Sequence, residues 1–278
     1  KKLNYNFKIN SINKHKIRET KLLKNCINIL DVKFNFKKTF DKITNNSSQY
    51  IENCFDEGLR LIKIGKTKIL INGPVSKKHF LKKKFLGITE YIAKKSGKKS
   101  QEVMLIYNKK LSVSPITTHL PLQDVKKNIT TKKIIKNVIT INSFFKDKLK
   151  KKPKFAITGL NPHCETNKNF SEEEKIILPA IKRLKKKNIN INGPFAADTL
   201  FLKKNINKFN VVIGMYHDQV LTPIKTLYEF KAFNITLGLP FLRMTPDHGP
   251  NNFMLGKNRS DPSSMIEMFK FLSQIREN

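Results

Sequence analysis

Apolar and polar positions alternate along the chain in two rhythms. Short apolar runs predict strands: "KILI" (68–71), "EVMLIY" (102–107), "LSVSPITT" (111–118), "KFAITGL" (154–160), "ININGP" (189–194), "NVVIGMY" (210–216) and "FNITLGL" (233–239). Runs this short, without clean polar alternation, suit strands covered on both faces. Between them lie segments with helical spacing. "SEEEKIILPAIKRLKKKN" (171–188) starts on a capping serine, carries acids in its first turn and lysines in its last, and so predicts a helix matched to its own dipole. "DPSSMIEMFKFLSQIREN" (261–278) predicts a closing amphipathic helix. Strands alternating with helices predict an α/β fold with a largely parallel sheet.

Three strand-like runs end on histidine. His119 follows "LSVSPITT", His163 follows "KFAITGLNP" and His217 follows "VVIGMY". Ligands in open α/β sheets bind outside the carboxyl ends of the strands. If these strands are parallel neighbours, three imidazoles crowd one edge, where they can hold a divalent cation with positions left open. Each histidine taken singly is equally a hydrogen-bonded loop residue, and the local spacing matches no metal motif. Asp218 can orient His217 or itself reach the metal. Asp198, Asp247 and His248 add further groups in loops, and Lys225 and Arg243 add cations suited to a phosphorylated, carboxylated small molecule.

Composition changes this picture little. The net charge is +34, yet only six of the 55 basic residues are arginine. Arginine is the usual reader of bases and phosphates. Lysine spread evenly among many Asn and Ile residues reads as compositional drift, with no specific nucleic-acid partner. No apolar run is long enough for a membrane span, and the opening "KKLNYNFKIN" lacks a signal peptide's apolar middle. Cys26, Cys54 and Cys164 form neither a disulfide framework nor a CxxC site, which suits a cytoplasmic location. The length of 278 residues allows one large or two modest domains.

Taken in order, "INGPVSK" (71–77), "GITEYIA" (87–93), "TTHLPLQDV" (117–125), "GLNPHCE" (159–165), "NGPFAADTLF" (192–201), "MYHDQVLTPIK" (215–225), "FNITLGLPFLR" (233–243) and "DHGPNNFMLGKNRSDPSSM" (247–265) resemble the 4-hydroxythreonine-4-phosphate dehydrogenase family of vitamin B6 biosynthesis. The resemblance runs from about Lys68 to the end. It implies two α/β/α domains of the isocitrate and isopropylmalate dehydrogenase type, here residues 1–91 plus 251–278 and residues 92–250. It also implies an active site in the cleft between them, and a homodimer whose metal site is shared across the interface.

By the same resemblance His119, His163 and His217 hold a divalent metal (Zn, Mg or Co). Thr89, Lys225, Asn234 and Arg243 bind substrate. Lys225, Asp198 and Asp247 serve proton transfer. Asp247, His248, Gly249, Gly256 and Asp261 border the cofactor, NAD or NADP. The implied reaction is oxidation and decarboxylation of 4-phosphooxy-L-threonine to 3-amino-2-oxopropyl phosphate. A sister activity on a threonate or erythronate phosphate and a non-catalytic remnant are the other readings.

Three departures bear on this. Ile88 stands where the family motif "GHTE" has histidine, and isoleucine cannot replace its hydrogen bond. The family's opening strand and "GDPxGIGPE" turn have no counterpart. "NPHAGE" reads "NPHCET".

Overall fold

The structure is a computed structural model that describes residues 5–81, 84–98, 101–166 and 170–277. Among the described residues ten strands are formed: β1 Ile9–Ile12, β2 Ile27–Leu30, β3 Ile69–Ile71, β4 Val103–Tyr107, β5 Ser112–Pro115, β6 Phe155–Thr158, β7 Ile191–Phe195, β8 Val211–Gly214, β9 Phe233–Leu237 and β10 Leu242–Pro246. The six longest helices are α1 Ser48–Lys63, α2 Ile88–Lys95, α3 Thr131–Leu149, α4 Leu178–Lys185, α5 His217–Tyr228 and α6 Ser263–Glu277.

Strands β1 and β2 pair in parallel by themselves; the other eight form one sheet in the order β3-β10-β9-β4-β5-β8-β6-β7. The sheet is mixed, which corrects the largely parallel expectation. β5, β8, β6 and β7 run parallel, as do β10 and β3, but β9 runs against both β10 and β4, and β4 against β5. The cause is local. The links from β4 to β5 and from β9 to β10 are too short for a crossover and permit only antiparallel hairpins. In the second hairpin Gly238 has φ +83°, and a Cβ there would stand 2.2 Å from the Gln101 carbonyl oxygen.

Both faces of the sheet are covered, as the unbroken apolar runs predicted. On β4, Val103, Leu105 and Tyr107 point into a core shared with α3, α4 and α6, while Met104 and Ile106 point into one shared with Val220, Leu221 and Ile224 of α5. A third cluster joins Phe55 of α1 to Ile88, Tyr91 and Ile92 of α2 and to Phe241. α3 shows why its residues form a helix: Thr130 caps it by accepting the N–H of Lys133, and buried Ile134, Val138, Ile141 and Phe145 follow helical spacing.

The segment 171–188 departs from expectation. It opens with a π-helical turn over Glu173–Ile177 before α4, and its first acids are not solvated: Glu172 is 3% exposed and Glu173 2%. Burial raises the Glu173 carboxyl, but the Asn161 backbone N–H and side-chain amide outweigh it and hold the group below the usual carboxylate range. A depressed pKa contributes stability above the unfolded value of 4.5, lost as pH falls through the folded value. Glu173→Gln is therefore expected to melt below the native chain at pH 7, by about 2–4 °C per kcal/mol lost. The two should converge as pH falls below the folded value; thermal melts from neutral into acid pH check it.

Candidate active site

The predicted neighbours are neighbours: β5, β8 and β6 lie side by side and parallel, so the ends leading to His119, His217 and His163 share one edge. Beyond the strands, Ile116 N–H bonds to Gly214 O and Thr117 to Met215 O, which keeps the first two chain ends in step. The His119 and His217 rings come to 5.7 Å between centroids.

These two histidines face a cavity of about 290 Å³, walled on one side by Asn72–Val75, Lys77, Ile88 and Thr89 and on the other by Met104, Lys225, Asn234, Arg243 and Asp247–Gly249. A larger cavity of about 520 Å³, bordered by Glu102, Lys132, Lys133 and Lys136, shares the Thr89, Met104 and His119 wall. The smaller one holds Arg243, Lys225 and Asp247, and is the candidate site.

Each wall has a reason in the local fold. His217, Leu221 and Lys225 are spaced by four on α5 and so share one face. Lys225 Nζ lies 3.0 Å from Asp247 Oδ2 and donates to Asp247 O at 2.5 Å. Burial raises the pKa of Asp247, against the pull of Lys225. Arg243, on β10 between β3 and β9, is 2% exposed. Its Nε donates to Asn72 Oδ1 (2.9 Å), and its Nη1 donates to Thr89 Oγ1 (3.0 Å) and Thr236 Oγ1 (2.9 Å). All three acceptors are neutral, so burial dominates and pushes the guanidinium down to about 10, against a weaker pull from Glu90. Asn234 Oδ1 is buried beside it without a donor.

The imidazoles are oriented for ligation. His217 Nδ1 lies 2.6 Å from Asp218 Oδ1, which places the proton on Nδ1 and the lone pair on Nε2. His119 Nε2 accepts from Lys77 Nζ at 3.0 Å, so its Nδ1 carries the proton, 3.7 Å from Glu90 Oε1. At His217 this is the arrangement that tunes a metal-binding histidine, one ring nitrogen on a carboxylate and the other left basic. His119 Nδ1 is too far from Glu90 for a hydrogen bond, and a cation on its Nε2 would displace the Lys77 ammonium; with that exchange the two residues fit a divalent cation. Gly87 makes the packing possible: a Cβ there would stand 2.7 Å from Glu90 Oε2 and 3.0 Å from His119 Cε1. The backbone at Gly87 is extended (φ −161°) and accepts alanine. Gly87→Ala is thus expected to weaken cation affinity about 10-fold by displacing His119, with little change in melting; titration of the chelator-stripped protein checks it.

Some predicted residues lie elsewhere. His163 is exposed on the loop after β6 and is not part of this cavity. Among the described residues, no three His, Cys, Asp or Glu side chains of one chain converge on a metal position. Asp198 follows β7, the last strand of the sheet. There it accepts the Thr199 N–H and acts on Cys164, beside the His163 loop and away from Lys225. Gly256 and Asp261 sit on the exposed stretch before α6, where Asp261 accepts the Ser263 N–H. Conversely, Asn72, Lys77 and Glu90, which the sequence does not single out, contact Arg243 and His119 here.

The family model for pyridoxal phosphate biosynthetic protein PdxA matches residues 1–272. The chain belongs to the PdxA family. The match begins at the first residue, well before Lys68, where the motif resemblance starts. A 4-hydroxythreonine-4-phosphate dehydrogenase from Sulfurihydrogenibium sp. is 44% identical over 245 residues, covering 87% of this chain and 74% of that one. Across this and three further curated relatives of the same name, the alignments span 64–74% of the relatives' lengths.

The crystal structure of 4-hydroxythreonine-4-phosphate dehydrogenase from Klebsiella pneumoniae superposes with a TM-score of 0.78 at 25% identity, covering 97% of this chain and 83% of that chain. Isocitrate dehydrogenase from Methylococcus capsulatus shares the fold, with a TM-score of 0.50 at 13% identity over 80% of this chain and 71% of that one. The fold is therefore α/β, of PdxA type with isocitrate dehydrogenase-like neighbours, and PdxA relatives carry the name of an oxidoreductase. Among the described residues no helix is long and apolar enough to cross a membrane.

Proposed function

We propose that this chain oxidises and decarboxylates 4-phosphooxy-L-threonine to 3-amino-2-oxopropyl phosphate, with NAD or NADP and a divalent cation. One observation carries the reading. In a PdxA-family chain, a buried arginine bonded to neutral side chains, a lysine–aspartate pair and two imidazoles border a single cavity. The Arg243 guanidinium, with Thr89 beside it, suits the phosphate; Asn234 Oδ1 is an acceptor awaiting a substrate donor such as the amine. Lys225, paired with Asp247, would first pass its own proton to that carboxylate, then receive the hydroxyl proton and return one when carbon dioxide leaves.

His119 and His217 would hold the cation, with His163 supplied by a second copy. Asp247, His248 and Gly249 would border the nicotinamide; a Cβ on Gly249 would meet nothing within 4 Å, so that side is open to a ligand. When bound, the nicotinamide accepts hydride and the cation acts as Lewis acid. The domains 1–91 plus 251–278 and 92–250 would meet at this cavity, in a homodimeric cytoplasmic enzyme.

Ile88 favours keeping a second substrate in view. It lines the cavity, is 8% exposed, packs against Phe55, Tyr91 and Phe241, and offers no hydrogen bond. Purified protein should be assayed for NADH formation with 4-phosphooxy-L-threonine and with 4-phosphoerythronate, each with Zn, Mg and Co. Turnover of the first supports the proposal, and turnover of the second alone supports the sister activity. Cation binding without turnover of either indicates a non-catalytic remnant.

A further inference from the structure

Two polar side chains not used in the chemistry above hold the loop that carries His163. Glu173 Oε1 accepts the backbone N–H groups of Leu160 (2.7 Å) and Asn161 (2.9 Å), and Oε2 accepts from Asn161 Nδ2 (2.9 Å) and Ser171 Oγ (3.0 Å). Gln219, on α5, donates from Nε2 to Gly159 O (2.8 Å), and its Oε1 accepts from Thr158 Oγ1 (2.8 Å) and Met215 N–H (2.7 Å). One amide thus ties the end of β6, which leads to His163, to the end of β8, which leads to His217.

Two glycines leave the space. A Cβ on Gly159 would stand 2.7 Å from Cys164 Sγ and 3.0 Å from Glu173 Oε1; one on Gly214 would stand 2.4 Å from Val220 Cγ1 and 3.2 Å from Gln219 Oε1.

The loop these groups hold is strained. His163 and Cys164 have φ of +55° and +63°, and two successive non-glycine residues in the left-handed region persist only where their surroundings over-determine them. A buried carboxylate is tolerable because all four of its contacts are donors. A loop that merely joined a strand to a helix would need no such support. Here a buried polar frame fixes a strained turn whose tip is an exposed histidine, outside its own chain's cavity.

We propose that Glu173 and Gln219 are positioning residues that present His163 to a divalent cation held by His119 and His217 of a second copy of the chain. This rests on the reading of His163 as a ligand of that cation. The test strips the full-length protein of metal and titrates it with Co(II). The visible absorption reports the ligand geometry, and the titration gives the dissociation constant. His163→Ala should weaken binding more than 100-fold, on the order of one lost ligand. Glu173→Ala and Gln219→Met should each weaken it about 10–100-fold and alter the spectrum, while melting cooperatively. Glu173→Gln, which keeps the acceptor for the two backbone N–H groups, should recover part of the loss.

If His163→Ala binds cobalt like the native protein, the ligand reading itself fails. If His163→Ala is weakened but Glu173→Ala and Gln219→Met bind normally, the ligand reading stands and the positioning role is wrong. Should Glu173→Ala not fold, Gln219→Met decides between these outcomes.

Discussion

Replacing Arg243 with methionine is expected to lower kcat/KM by about 10²–10³-fold while leaving the melting temperature unchanged or slightly raised. The two effects separate because this cation is buried among neutral acceptors: Asn72, Thr89 and Thr236 receive its hydrogen bonds, and no carboxylate among the described residues bonds to it. Burial pushes its pKa down to about 10, so the fold holds the charge at a cost. Methionine of similar length removes that cost. Asn72 and Thr89 border the cavity, where solvent can replace the lost donors. A phosphate entering the cavity loses its only buried guanidinium among the described residues. Steady-state kinetics and a thermal melt on the same preparation check the prediction. Near-native kinetics with a large fall in melting temperature would assign Arg243 to the core instead.

Lys225→Met is expected to lower kcat by about 10²–10⁴-fold, the usual worth of a positioned acid–base group. Lys225→Arg should rescue little, because arginine keeps the charge but does not give up a proton near neutral pH. Recovery of most activity by the arginine variant would make Lys225 a fixed charge and move proton transfer elsewhere. The lysine variants also expose the role of Asp247. Its carboxyl is already raised by burial, and without Lys225 it loses the cation that opposes that rise. Protonation of Asp247 then limits the loss of stability, so melting should change less than catalysis does.

Much of this site was legible beforehand because local rules govern it. His217 and Lys225 could be read together because eight residues on a helix return to one face. The three histidine-bearing strand ends could be read together because parallel neighbours share a carboxyl edge. The burial of Glu173 was not legible, for an equally local reason. An acid in the first turn of a helix suits the dipole whether solvated or buried, and the helical pattern cannot tell which. Only the return of the β6 loop above that turn supplies the donors that bury it. Asp198 was grouped with Lys225 by its place in a motif, but β7 is the outermost strand and carries it to the His163 loop.

By itself, then, the sequence determined seven strands of the main sheet, the helices within 171–188 and 261–278, the edge at which chemistry gathers and the family. Each depends on periodicity or on residue order within a short stretch. Tertiary structure alone decided that β9 lies between β10 and β4, which brings Asn234 and Arg243 to the cavity wall together. It also decided that His119 meets His217 while His163 faces outward on a braced turn. Strand order and loop anchoring are long-range pairings, set by which distant donors and apolar faces can be satisfied together, and no local pattern encodes them.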